Sequence, residues 1–308
     1  MIGNTSSKQK GRDSVAIVIS VGGSDISVMQ VANTDTYHLS RYSSFSGNWQ
    51  ELCSNAAEDT TKNGLLNMLS GFNNYETEKY YVLLVGSCGL IYKTIEIPVS
   101  VMTNSNDLLN EENIDQLKAI CMSNLPTGYY KAEYSVSIGS VVHSARDSIY
   151  YVSCAYVPKV LIEGIKNVLR ESSLPLFDIQ PLAFCIQQAI DISDPAVIDI
   201  SSGYISATKD GGIIIAKFGS ENMKAQLLDY IKQYTNSIFH TNYKFRKITG
   251  YELQRYLKKS LTTVISLSEK KVPLITGAIG IAYGDADDIR KGEKMSDYIE
   301  KIKLIFKR

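Results

Sequence analysis

This sequence is poor in the residues that most often carry chemistry. Of 308 residues only His38, His143 and His240 are histidine, widely separated, and no Cys-x-x-Cys pair occurs. A zinc site is therefore not expected. No arrangement resembles a Ser/His/Asp triad. Charge of either sign is not in excess: Lys+Arg and Asp+Glu both number 32. With no basic-aromatic patch either, a nucleic-acid partner is not expected. Long apolar runs are missing too. The longest nearly apolar stretch, Val272–Tyr283, is too short to span a bilayer. The basic N-terminus MIGNTSSKQKGRDS precedes only a short apolar run, Val15–Val21, broken by Ser20 and without an Ala-x-Ala site, so a secretion signal is rejected. A cytosolic chain without a transmembrane helix is the expectation. One tryptophan stands against 20 tyrosines, many of which should sit half-buried with the hydroxyl in water.

What is present is an ordinary globular balance of 44% hydrophobic and 21% charged residues, over a length sufficient for two domains. Cys53, Cys88, Cys121, Cys154 and Cys185 lie 31 to 35 residues apart, but their flanks share nothing, which argues against a repeat. Five buried thiols in a reducing compartment are expected rather than disulfides.

The most informative stretch is Ala196–Phe218, AVIDISSGYISATKDGGIIIAKF. It reads as a buried strand over Ala196–Ile200, a polar Ser201-Ser202-Gly203 turn, and an alternating strand Tyr204–Thr208. The Asp210-Gly211-Gly212 turn and a third strand to Phe218 follow. A strand ending in Asp and followed by a Ser-Ser-Gly loop is how the actin/Hsp70/sugar-kinase superfamily builds a phosphate loop. In such a loop backbone N–H groups face an anion and the acid holds a metal or its water. A plain β-meander explains the same residues, with Asp199 capping the turn at Ser201. A similar layout occurs earlier: Val15–Val21, the turn Gly22-Gly23-Ser24-Asp25, and a return strand with Ile26, Val28 and Gln30 on one face. Here too the glycines serve either a ligand or only the hairpin. Two such hairpins facing each other across a cleft are the plan of the actin-like fold.

Between and after them the periodicities predict a third strand at Tyr37–Tyr42 and a helix carrying Leu65, Leu66, Met68, Leu69 and Phe72. Strands follow at Tyr80–Val85 and Leu90–Ile97, then a helix over Asn110–Asn124. Strands around Tyr134–Val142 and Ile149–Val157 precede a helix opened by Pro158, with Val160, Leu161, Gly164, Val168 and Leu169 on one side. Then come a short strand Phe177–Ile179 and a helix Leu182–Ile190. Past Phe218 are an amphipathic segment Met223–Tyr234, a strand Tyr243–Ile248, a helix Glu252–Lys259, and an apolar helix Pro273–Tyr283 whose small residues allow close packing. Residues 1–14 read as a polar disordered arm. No low-complexity linker lies between 15 and 284.

In this order the elements resemble PilM, the cytoplasmic actin-like protein of type IV pilus machines and a relative of the division protein FtsA. The resemblance rests on Ile19-Ser20-Val21-Gly22-Gly23-Ser24, on Tyr81–Pro98 (YVLLVGSCGLIYKTIEIP), and on Tyr150–Gln187 with its Leu174-Pro175 and Pro181-Leu182-Ala183. Val197–Ile200 and the closing Gly277–Gly284 complete it, so that it spans roughly residues 15–284. It implies an α/β, two-lobed actin-like (ASKHA) fold with an extra subdomain of the FtsA/PilM type and a reduced second lobe. The implied division is an arm (1–14), a first-lobe core (15–97 with 177–195), the extra subdomain (98–176), a second lobe (196–290) and a C-terminal amphipathic helix (291–308). The nucleotide-site positions would be Gly22, Gly23, Ser24, Asp199, Ser201, Ser202, Gly203, Thr249 and Gly250, forming a vestigial site. The family's first Asp corresponds to Ser20, a poor ligand environment for a hard cation. The adenosine loop is reduced to Thr249-Gly250, and few residues separate Phe218 from Thr249. No catalytic residue, metal or cofactor is expected, and ATP at most weakly.

The function implied is that of a non-catalytic cytoplasmic scaffold, peripheral to the inner membrane. Its expected partner is the cytosolic tail of a PilN-like inner-membrane pilus protein, with other pilus-platform proteins as further candidates. An ATP-hydrolysing actin-like protein or an FtsA-like membrane-associated polymer is the alternative. At the end of the chain, Met295, Tyr298, Ile299, Ile302, Ile305 and Phe306 make one apolar helical face. Lys301, Lys303, Lys307 and Arg308 add positive charge to the last turns. This helix either docks on the second lobe or lies against an anionic membrane surface.

Overall fold

The structure, a computed structural model, describes residues 14–22, 24–53, 60–72, 79–85, 88–102, 111–144, 148–189, 198–201, 204–209, 212–217, 219–223, 225–226, 257, 259, 261–263, 271–283 and 290–291. The chain opens with a meander: β1 (Ser14–Val21), β2 (Asp25–Asn33) and β3 (Tyr37–Ser46) pair antiparallel in succession. β1 is apolar on both sides and is central. Ile17 and Ile19 point to one face of the sheet, Ala16 and Val18 to the other, and all four are buried. β2 is also buried on both faces, so the one-sided pattern of Ile26, Val28 and Gln30 understates its burial; Ser27, Met29 and Val31 opposite them are covered as well.

Beyond β1 the pairing changes sense. β4 (Lys79–Leu84) runs parallel to β1, and β8 (Leu176–Pro181) parallel to β4. The order β3-β2-β1-β4-β8 is a meander continued by parallel strands. One face is covered by α1 (Thr60–Ser70) and α3 (Lys159–Glu171), whose Leu65, Leu69, Leu161, Ile165, Val168 and Leu169 pack on Ile17, Ile19 and Val82. Val160 is not part of that face. It lies in the first turn of α3, 56% exposed, and Ile165 occupies the buried row instead.

The other face carries α4 (Leu182–Ala189) and α5 (Val272–Tyr283), which cross in backbone contact. A Cβ at Gly280 would lie 1.7 Å from the Cys185 carbonyl oxygen, and one at Gly277 would lie 2.4 Å from a Leu182 methyl. The small residues of α5 thus set the distance between the helices. Although chain position groups them with the second lobe, α5 and β12 (Leu261–Thr263) both join this layer; β12 extends the sheet parallel to β3.

Between β4 and β8 the chain builds a second sheet from β5 (Ile91–Pro98), β6 (Tyr134–Ser144) and β7 (Ile149–Pro158), with β7 central. β13 (Arg290–Lys291) adds to the β6 edge, pairing with Val142 and His143. Lys291 is therefore a strand residue rather than the start of the terminal helix. α2 (Glu111–Ser123) covers one face through Leu117 and Cys121. On the other face, Phe184 of α4 sits over Gly139, where a Cβ would be 2.2 Å from its ring, and meets Tyr92 edge-on at 5.9 Å. β9 (Ile198–Ser201), β10 (Tyr204–Lys209) and β11 (Gly212–Lys217) form a third, antiparallel sheet. No described helix is long and apolar enough to cross a membrane.

Candidate functional site

The first of the two turns marked in the sequence lies where β1 hands over to β2. Here β1 ends in Ser20 and Val21. Ser20 is 2% exposed, flanked in the sheet by Ser27 on β2 and Leu83 on β4. The Ser27 hydroxyl lies 3.1 Å from that of Tyr42, so this end of the sheet offers neutral hydroxyls where a cation site would need a carboxylate. The turn closes on itself: the Gly22 N–H donates to the Asp25 carbonyl at 2.8 Å. A Cβ at Gly22 would stand 2.9 Å from that same oxygen, which is why glycine is required. The Ser24 carbonyl accepts from the Gly47 N–H at 3.0 Å. A phosphate nest depends on backbone N–H groups left free to face an anion; at Gly22 that group is already committed.

The adjoining end of β4 is sealed in the same way. Val21 accepts from the Val85 N–H at 2.9 Å and from the Cys88 thiol at 2.8 Å. Burial pushes the Cys88 thiol up to about 12, so it stays a proton donor at neutral pH. Beside the turn is a hollow of about 560 Å³, lined by Ser24, Asn48, Trp49, Glu51, Thr60 and Thr61 among others. Among its described lining residues the one charged group is Glu51, held below the usual carboxylate range chiefly by the Thr61 hydroxyl and also by that of Thr60. Thr61 in turn accepts from the Asn48 N–H at 3.1 Å.

Of the positions marked in the sequence, Gly22 and Ser24 stand in this turn. Asp199 and Ser201 place their backbones on β9, opposite Ser206 and Tyr204. Gly23, Ser202, Gly203, Thr249, Gly250, Lys301, Lys303, Lys307 and Arg308 lie outside the described residues. The hairpin expected around 210–212 is present, with Lys209 paired to Gly212. Sequence reasoning missed the clasp of Glu51 with Thr60 and Thr61; nothing in the spacing marks it. It also missed the junction between the sheets, where the Ser137 hydroxyl donates to the Gln180 amide oxygen at 2.8 Å beside the Phe184–Gly139 contact.

No protein-family model and no curated protein matches the sequence. Among solved structures, the chain is similar to the PilM–PilN type IV pilus biogenesis complex at 14% identity and a TM-score of 0.43, over 70% of this chain and 66% of that one. It thus spans just under two thirds of that relative's length. The cytoplasmic domain of EpsL, an inner-membrane component of the Vibrio cholerae type II secretion system, is similar at 10% identity and a TM-score of 0.45, over 87% of this chain and 95% of that one. A Bacteroides thetaiotaomicron protein of actin-like ATPase fold and unknown function is similar at 13% identity and a TM-score of 0.36, over 99% of both chains.

Proposed function

We propose that this protein is a non-catalytic actin-like scaffold of a pilus- or secretion-type envelope machine, working through its first lobe. The observation that carries the reading is the closed first turn. Ser20, where the sequence resemblance implies an acid, is a buried neutral hydroxyl, and the Gly22 N–H is bonded within the turn. These residues do not fit a magnesium nucleotide. By contrast, the four-stranded sheet with α2 is a fully built layer with its own core. A protein that works by holding a partner needs that layer and can dispense with nucleotide turnover. The partner class follows the sequence resemblance: the cytosolic tail of a PilN-like inner-membrane protein, which would place this chain at the inner face of the membrane.

Two measurements test the reading. Purified protein with ATP and magnesium should release phosphate no faster than buffer, and ATP should bind weakly at most. Affinity capture from native membranes should retain a bitopic inner-membrane pilus or secretion protein. Magnesium-dependent turnover lost in Asp199→Ala would overturn the proposal, as would membrane extracts yielding no such partner.

A further inference from the structure

The hollow beside the first turn is characterised by the donors its wall has already spent. Glu51 opens a short helical turn, Glu51–Cys53, and Thr60 and Thr61 open α1. The hydroxyls of both threonines donate to the Glu51 carboxylate, Thr60 at 3.3 Å. Backbone donors of the wall are committed as well. The Gly47 N–H goes to the Ser24 carbonyl at 3.0 Å and the Asn48 N–H to the Thr61 hydroxyl at 3.1 Å. The Gln50 N–H goes to the Asn48 side-chain oxygen at 3.0 Å, and the Glu51 N–H to the Asn48 carbonyl at 3.0 Å. Donors bonded within the wall do not serve an anion. What the wall offers is negative charge and oxygen lone pairs, from the ionised Glu51 carboxylate and the hydroxyls of Ser24 and Ser46. Trp49 adds an apolar side, packed on the core beneath α1 and α3.

The matching occupant is positively charged, rich in donors and carried on an aliphatic stem. A lysine ammonium or arginine guanidinium has donors and no acceptor. Either pairs with a carboxylate and lies with its stem along an indole. A volume of about 560 Å³ has room for such a side chain. A divalent metal is a poorer match, because no group of three or more His, Cys, Asp or Glu gathers among the described residues.

We propose that this hollow receives a lysine or arginine side chain of the partner's cytosolic tail. The ligand class comes from the wall itself; the identity of the chain that carries it rests on the scaffold role proposed above. Cytosolic segments close to a membrane-spanning helix are enriched in lysine and arginine. An acidic hollow on a protein that holds such a segment complements its charge.

Trp49 is the one tryptophan of the chain, so intrinsic tryptophan fluorescence reads the hollow directly. The full chain is titrated at constant ionic strength with N-acetyl-arginine methylamide, N-acetyl-lysine methylamide and, as a neutral isostere of arginine, N-acetyl-citrulline methylamide. The two cations should give a saturable change that added salt weakens, and citrulline should give none. Glu51→Gln, which keeps an oxygen for both threonine hydroxyls, should lose the response while its circular dichroism is unchanged. An equal response to citrulline, no saturable change with either cation, or undiminished binding by Glu51→Gln would overturn the proposal. So would a response confined to free spermidine, which would make the hollow a polyamine site. Should Glu51→Gln fail to fold, the comparison of arginine with citrulline in the unmodified chain decides alone. Cationic probes that bind while membrane extracts yield no partner would uphold the ligand class and overturn the scaffold role. A captured partner with no response to either cation would do the reverse.

Discussion

The two larger sheets of this protein are held against their helices by different means. The β3-β2-β1-β4-β8 sheet is sandwiched by apolar side chains, and on one face α4 and α5 approach until backbone meets backbone at Gly280. The four-stranded sheet holds α2 partly by polar groups: Lys93 and Tyr156 reach the carbonyls of its last turn. The first arrangement tolerates no added volume. The second fastens its helix through hydrogen bonds from side chains of the sheet.

The sharpest way to break that contrast is to add volume at the α4–α5 crossing. Gly280→Val must displace the Cys185 carbonyl, 1.7 Å from the new Cβ, and should cost about 3 kcal/mol or more in urea denaturation. A loss below about 1 kcal/mol would mean that the helices separate freely and that this sheet is not the rigid one.

Next comes Ser20→Asp, which puts an acid at the end of β1, where the sequence resemblance implies one. At 2% exposure the carboxylate is desolvated without a cationic partner, and the variant should lose about 2 kcal/mol at neutral pH. Because burial raises such an acid's folded-state pKa above its unfolded value, the penalty is largest above the folded pKa. It should shrink as the pH falls toward the ordinary carboxylate range. Magnesium-dependent ATP binding acquired by this variant would show that the turn is closed only for want of one carboxylate.

Tyr156→Phe probes the polar attachment. Leaving the Cys121 carbonyl without its 2.7 Å donor should cost about 1 kcal/mol and raise amide exchange in α2 more than in α1. Equal exchange in both helices would erase the distinction between the sheets. The smallest effect is expected at Lys62→Ala: its ion pair with Glu171 is 2.5 Å long but solvent-exposed, and should contribute no more than about 0.5 kcal/mol.

Much of the fold was legible because it is written in local periodicity. The alternation in β2, the apolar β1 and the three-to-four-residue spacing in α1 and α2 lie within a few residues of the observed elements. The small residues of α5 predicted close packing, and Gly280 shows where it occurs. Val160 was misplaced because the step of four back from Gly164 falls just outside the buried row of Leu161, Gly164, Ile165, Val168 and Leu169. The expectation of five buried thiols held for four, with Cys53 only half-buried where its short helical turn meets α3. At the candidate site, Ser20 could be read from its place in the motif, but not the bonding of the Gly22 N–H, which depends on turn geometry.

By itself, then, the sequence determined most of the elements, the neutral Ser20 at the end of β1 and the small residues of α5. These follow from propensity, chemistry and steric demand within a few residues. Only the tertiary structure decided that β12 and α5 return to the first sheet, that Glu51 meets Thr61, and that Tyr156 reaches the Cys121 carbonyl. Residues 35 apart in a chain, such as these two, have no local pattern joining them. Their contact exists because the β6–β7 hairpin folds back under α2, and that return is fixed by the burial of the whole layer.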